Sequence, residues 1–186
     1  MSYEHVRQGK LLVADPYLYD PNFKRSVILM TGHSHEEGSI GFILNKPLRM
    51  DVENLLSDFP EFESQVYYGG PVSTETIHFI HTAGKILDDS QSLGRGLFWG
   101  GNYEQLKFLI SNGLIKPSDI RFYVGYAGWS PGQLQSEMQE GSWVVAENDL
   151  NYIFNTHSKR LWKNVLSNKG EHFAVIAEMP DEFVLN

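Results

Sequence analysis

The run Gly128-Trp129-Ser130-Pro131-Gly132 fits G-x-S-x-G, the strand-to-helix elbow that lifts a nucleophilic serine above a hydrolase sheet. Partners for such a serine exist downstream: the imidazoles of His157 and His172, and the carboxylates of Asp149, Glu171 and Asp181. Asp149 followed by His157 even keeps the acid-before-histidine order of that hydrolase class. The same residues also make a helix start. Ser130 can be the N-cap, Pro131 sits where a missing N–H costs nothing, and Gln133 completes an S-x-x-Q capping box. Acyl transfer further needs oxyanion donors and, with this elbow, a parallel sheet, and no strand pattern here calls for one. The sequence is therefore read as a cap, with a hydrolase using Ser130 or carboxylates as the alternative.

Other groups invite other chemistries. His33, His35, Glu36 and Glu37 offer metal-ligand types within five residues, but on a polar hairpin loop, whereas a metal site draws its ligands from rigid elements. No metal and no cofactor are expected. His78 and His81, three apart in a strand-like run, point to opposite faces and cannot chelate together. Gly69-Gly70-Pro71 and Gly94-Arg95-Gly96 match no phosphate-binding fingerprint and read as tight turns, as do Asp15-Pro16 and Asp20-Pro21. Residues 156–170 carry Lys159, Arg160, Lys163 and Lys169 and no acid, so a helix over 158–166 is the one segment fit for direct DNA binding. With 15 basic against 23 acidic residues and a net charge of −8, the chain as a whole repels phosphate backbones, and direct nucleic-acid binding is disfavoured. The absence of cysteine removes disulfides, thiolate metal sites and thiol redox chemistry.

Positioning these groups falls to short strands and a few helices. Strand patterns cover 10–14, 25–31, 39–45, 65–68, 76–81, 121–126, 142–147 and 172–178, each bounded by turn residues. The strands at 25–31 and 39–45, separated by residues 33–38, form an antiparallel hairpin. Helices are expected over 51–58, from Asn102 as cap to Gly113 as stop, after Ser130, and from Ser158 through Leu166. The strands neither alternate strictly with helices nor run at even all-β spacing, which predicts an α+β fold on a mostly antiparallel, strongly bent sheet. At 186 residues with no linker or repeat, one domain over 1–186 is expected. No stretch nears the roughly 20 apolar residues of a membrane span, and the first residues show no apolar leader core. The expectation is a cytoplasmic protein without a membrane role.

Four segments together resemble the bacterial YqgE/AlgH family. They are Gly9-Lys10-Leu11-Leu12-Val13-Ala14-Asp15-Pro16, continuing through Asp20-Pro21-Asn22-Phe23; Gly38-Ser39-Ile40-Gly41-Phe42-Ile43-Leu44-Asn45-Lys46-Pro47; Val66-Tyr67-Tyr68-Gly69-Gly70-Pro71; and Gly125-Tyr126-Ala127-Gly128-Trp129 through Glu137 to Trp143. The resemblance implies a branched antiparallel sheet curled into a pseudo-barrel with helices packed outside. It brings no established reaction, only the description of such proteins as uncharacterised or as candidate transcriptional regulators. In the family pattern the positions of Ser130 and Pro131 take small residues, which a nucleophile would not permit and a cap would. The functional expectation is thus a non-enzymatic regulatory protein acting through a protein partner or small ligand. Asn45, Tyr126, Trp129, Gln133 and Glu137 are its candidate ligand-binding residues, and Lys159, Arg160 and Lys163 the candidate nucleic-acid contacts of the DNA-binding alternative.

Overall fold

A computed structural model describes residues 6–180. The chain lays down β1 (Leu11–Ala14), β2 (Val27–Ser34), β3 (Gly38–Ile43), β4 (Pro47–Asp51), α1 (Val52–Leu55), β5 (Gln65–Tyr68) and β6 (Val72–His81). There follow β7 (Gln91–Gly94), β8 (Leu97–Trp99), α2 (Tyr103–Ser111), a 3-10 turn at Pro117–Asp119, β9 (Ile120–Trp129) and α3 (Gln133–Gln139). The last elements are β10 (Trp143–Ala146), α4 (Leu150–Phe154), α5 (Ser158–Lys169) and α6 (Glu171–Ala177). The strands make one sheet with the main order β10-β1-β2-β3-β9-β6-β8-β7. Every pairing is antiparallel except that of β5 with β9.

The sheet branches along one side of β9. Its first half, Phe122 to Val124, takes β5 in parallel, and its second half, Ala127 to Trp129, takes β3 in antiparallel. Between them Gly125 adopts φ +66, where a Cβ would lie 2.5 Å from the Gly70 carbonyl oxygen. Gly69 fills the gap: its N–H donates to Val124 O at 2.8 Å and its carbonyl accepts from Ile43 N at 2.9 Å. Gly69-Gly70 is therefore part of the branch, with its Gly69 N–H committed to the sheet and not offered to a phosphate.

Curling around its inner face, the sheet gathers one apolar cluster from nine of its ten strands, including Leu11, Leu29, Phe42, Ile80 and Tyr123. α5 joins this cluster through Leu161, Trp162, Val165 and Leu166, and Trp162 Nε1 donates to Ala14 O at 2.8 Å. α2 covers a second cluster on β6 and β9, and α3 covers a third on β1, β2 and β3. The ends of the curl approach without a backbone ladder between them among the described residues. Side chains span the gap: Gln8 Nε2 donates to Ser92 O at 2.7 Å, and Arg95 Nη1 to Asn148 O at 2.8 Å. The α+β fold on a strongly curled, branched sheet is thus present. No helix among the described residues is long and apolar enough to cross a membrane.

Several local expectations change: the helix expected over 51–58 shrinks to α1, and His33 lies in β2 and not in the hairpin loop. Of residues 172–178, read as a strand, 172–177 belong to α6 and Glu178 is its C-cap, because a short apolar run has no distinguishing period; Phe173 and Ala177, four apart, share a face of the helix and join the inner cluster. At the elbow, Ser130 is not the N-cap. The cap of α3 is Gly132 at φ +78, and only half of the capping box survives, with Ser130 N donating to Gln133 Oε1 at 3.0 Å.

Candidate functional site

The glycine-rich end of β9 and the start of α3 build a carboxylate clamp. Glu137 Oε2 accepts the indole N–H of Trp129 and that of Trp143, both at 2.8 Å, while Oε1 accepts from Gln133 Nε2 at 2.9 Å. Gln133 and Glu137 meet because they are four apart on α3. Trp143, which opens β10 just after α3, reaches the same oxygen because α3 lies over the face of the sheet where Trp129, Leu134 and Trp143 cluster. Both indoles are 4% exposed, edge-to-face at 5.9 Å, with Phe23 against them. A charged acceptor shared by two buried donors makes a rigid wall.

In front of that wall lies a groove of about 790 Å³. One side is the β2–β3 hairpin with its turn at residues 35–37, contributing His33, Glu37 and Ser39. The other side is β9 and the elbow, contributing Tyr126, Trp129 and Ser130. His33 and Ser39 face each other across the hairpin, and His33 Nδ1 shares a hydrogen bond with Ser39 Oγ at 2.7 Å. Burial, and then the neighbouring His35 ring at 5.3 Å, hold the His33 pKa below its ordinary value, so the groove presents a neutral imidazole at neutral pH. With a hydroxyl, a phenol, an imidazole and apolar flanks from Ile40 and Val72, this is a surface able to orient a small polar-aromatic ligand or a peptide side chain.

The five residues singled out by sequence divide into three places. Trp129, Gln133 and Glu137 form the clamp, and Tyr126 lines the groove with its ring edge-on to His78 at 6.0 Å. Asn45 stands apart as a backbone staple: its Oδ1 accepts from Val27 N and its Nδ2 donates to Arg25 O, both at 2.9 Å. Ser39 was invisible to sequence reasoning, although the length of the hairpin turn, which sets register, carried the signal that pairs it with His33. Of the nucleophile's partners, His157 is the N-cap of α5, its Nδ1 accepting from Lys159 N at 3.3 Å, and the Asp149 carboxylate caps α4 through Asn151 N at 2.8 Å. His172 rests edge-on against Phe173, and Asp181 lies outside the described residues. On α5, Lys159 and Arg160 are exposed, while Lys163 pairs with Glu178 at 2.7 Å. Among the described residues no three His, Cys, Asp or Glu side chains converge as a metal set.

Known proteins are similar to this chain over nearly its whole length. The family model described as AlgH-like matches residues 11–174. A UPF0301 protein of Chlorobaculum parvum is 46% identical over 179 residues, covering 96% of this chain and 95% of the relative. One from Cytophaga hutchinsonii is 35% identical over 182 residues, covering 97% and 100%. Among solved structures, protein DIP2367 of Corynebacterium diphtheriae superposes with a TM-score of 0.80 at 25% identity, over 96% of this chain and 95% of that one. The solution structure of the AlgH protein of Pseudomonas aeruginosa gives 0.74 at 25% identity, over 97% of each chain. This chain belongs to the AlgH-like, UPF0301 family.

Proposed function

We propose that this AlgH-like protein is a non-enzymatic regulatory binding protein of the cytoplasm, acting through a small ligand or a protein side chain seated in the groove between the β2–β3 hairpin and the β9–α3 elbow. The observation that carries the reading is the groove itself. Its back is fixed by the Glu137 clamp, and its lining presents His33, Tyr126 and the largely buried Ser39. Rigid walls around a few polar groups reduce the ordering cost of binding.

A thermal-shift screen of the purified protein against nucleotides, metabolites and short duplex DNA, repeated with His33→Ala and Tyr126→Ala, tests it. A ligand at a hundredfold over its Kd adds about 2.7 kcal/mol, and each kcal/mol moves the midpoint of a chain this size by roughly 2–4 °C. The expected outcome is a shift that both variants lose. If no compound acts, the groove is expected to hold a co-purifying protein that the same two variants release. Binding that survives both substitutions would overturn the assignment. The His33–Ser39 contact favours one second reading, acyl transfer with Ser39 as nucleophile, because a serine in hydrogen-bond reach of a neutral imidazole is its first requirement. Turnover of an activated ester that Ser39→Ala abolishes would move the protein to the hydrolases.

A further inference from the structure

A second groove, of about 580 Å³, forms where the β7–β8 turn, the 3-10 turn before β9 and α4 meet. It shares no lining residue with the first. Its polar groups are pre-oriented by bonds that use only part of each. Asp149 Oδ1 accepts from Asn151 N at 2.8 Å, which leaves its second oxygen, while Asp119 is held through both, Oδ2 accepting from Lys116 N at 2.9 Å and Oδ1 from Ser118 Oγ at 3.5 Å. Asn155 Nδ2 donates to Asn151 Oδ1 at 2.7 Å, aligning two amides along α4. Arg95 sits at φ 54, a conformation L side chains rarely adopt, and its guanidinium is planted on Asn148 O at 2.8 Å and Glu147 Oε2 at 3.1 Å. Asn148 is 4% exposed, and its Oδ1 has no hydrogen-bond partner among the described residues. A buried acceptor of this kind is completed by a donor such as an ordered water or a ligand hydroxyl.

We propose that this groove binds a neutral vicinal diol, the chemistry shared by a free sugar and the ribose of a nucleoside. A carboxylate can accept from two adjacent hydroxyls, an amide sets a donor beside an acceptor, and a guanidinium donates to the hydroxyl oxygens. Leu150 and Phe154 add an apolar surface for the C–H face of the ring. An anion fits poorly, because two aspartates stand against one arginine already paired with Glu147.

The test is a titration of the isotope-labelled full chain with D-glucose, D-ribose and adenosine, followed by nuclear magnetic resonance at the side-chain amides of Asn148, Asn151 and Asn155. Saturable shifts at these amides are expected. Asn151→Ala, which keeps the backbone N–H that Asp149 caps, should bind about tenfold more weakly. A response to D-glucose and D-ribose without adenosine assigns a free sugar; a response to adenosine without D-glucose assigns a nucleoside; a response to all three shows that the diol alone is read. If none of the three moves these resonances, or if the shifts are unchanged in Asn151→Ala, the site is not a diol site.

Discussion

Glu137 is the residue on which the elbow's side-chain hydrogen bonds converge, because one of its oxygens serves two indoles that are both buried. Removing the carboxylate strands two donors away from water, and an unsatisfied buried donor costs about 1–3 kcal/mol. Glu137→Ala should therefore lower stability by about 3 kcal/mol, or roughly 6–12 °C in the thermal midpoint read by tryptophan fluorescence. Glu137→Gln keeps an acceptor and should lose about 1 kcal/mol. A midpoint for Glu137→Ala within a degree or so of the parent would mean the indoles find other partners. The grouping of Gln133 with Glu137 was legible, since four-residue spacing on a helix fixes it. That they clamp tryptophans instead of lining a pocket was not, because it depends on α3 lying over the sheet face where Trp129 and Trp143 cluster, which no local pattern encodes.

At the scale of elements, the branch in β9 depends on a backbone conformation, and two glycines test how. Gly125 at φ +66 is hemmed in by the Gly70 and Val72 carbonyls at 2.5 and 2.9 Å from a would-be Cβ, whereas Gly132 at φ +78 has nothing within 4 Å. Gly132→Ala meets only the left-handed backbone penalty, about 1–2 kcal/mol. Gly125→Ala adds roughly 1–3 kcal/mol of overpacking against the Gly70 and Val72 carbonyls, about 2–5 kcal/mol in all, enough to unfold a marginal domain. Urea denaturation of both variants ranks them, and equal costs would show that β6 and β9 separate easily at the branch. Much of this architecture was readable: β2 and β3 from turn residues and apolar runs, α2 from Asn102 and its periodic leucines. What escaped was short or exposed. β7 and β8 are four and three residues long, and β4 is an exposed edge, so tertiary pairing rather than propensity makes them strands. α6 was misread because its apolar run is as compatible with a strand until α5 gives it a face to cover.

For the whole molecule, the histidines tie stability to pH. His81 is 0% exposed, with Nε2 bonded to Gly100 O at 2.7 Å and Nδ1 accepting from Ala83 N at 3.1 Å. Protonation would turn that acceptor into a donor facing an N–H. Burial holds His81 below its ordinary pKa, more strongly than the Gly100 bond raises it; burial lowers half-buried His78 as well, and His33 moves the same way. The unfolded chain takes up these protons near pH 6.5 while the folded chain does not, so the stabilisation is fully present above about 6.5 and drains as pH falls below it. The net charge of −8 works in the other direction, since acidification relieves self-repulsion, but carboxylates titrate near pH 4, below this window. The histidine effect should dominate between about pH 7.5 and 5.5. Unfolding free energies measured across that range should decrease toward acid, with a shallower slope in His81→Gln because one proton site is gone. A flat or rising profile would mean that the buried imidazoles are already charged in the folded protein, yet among the described residues His81, enclosed by Phe79 and Phe98 rings at 5.9 Å, bonds no carboxylate and has only the weaker pull of the Gly100 carbonyl to favour such a charge.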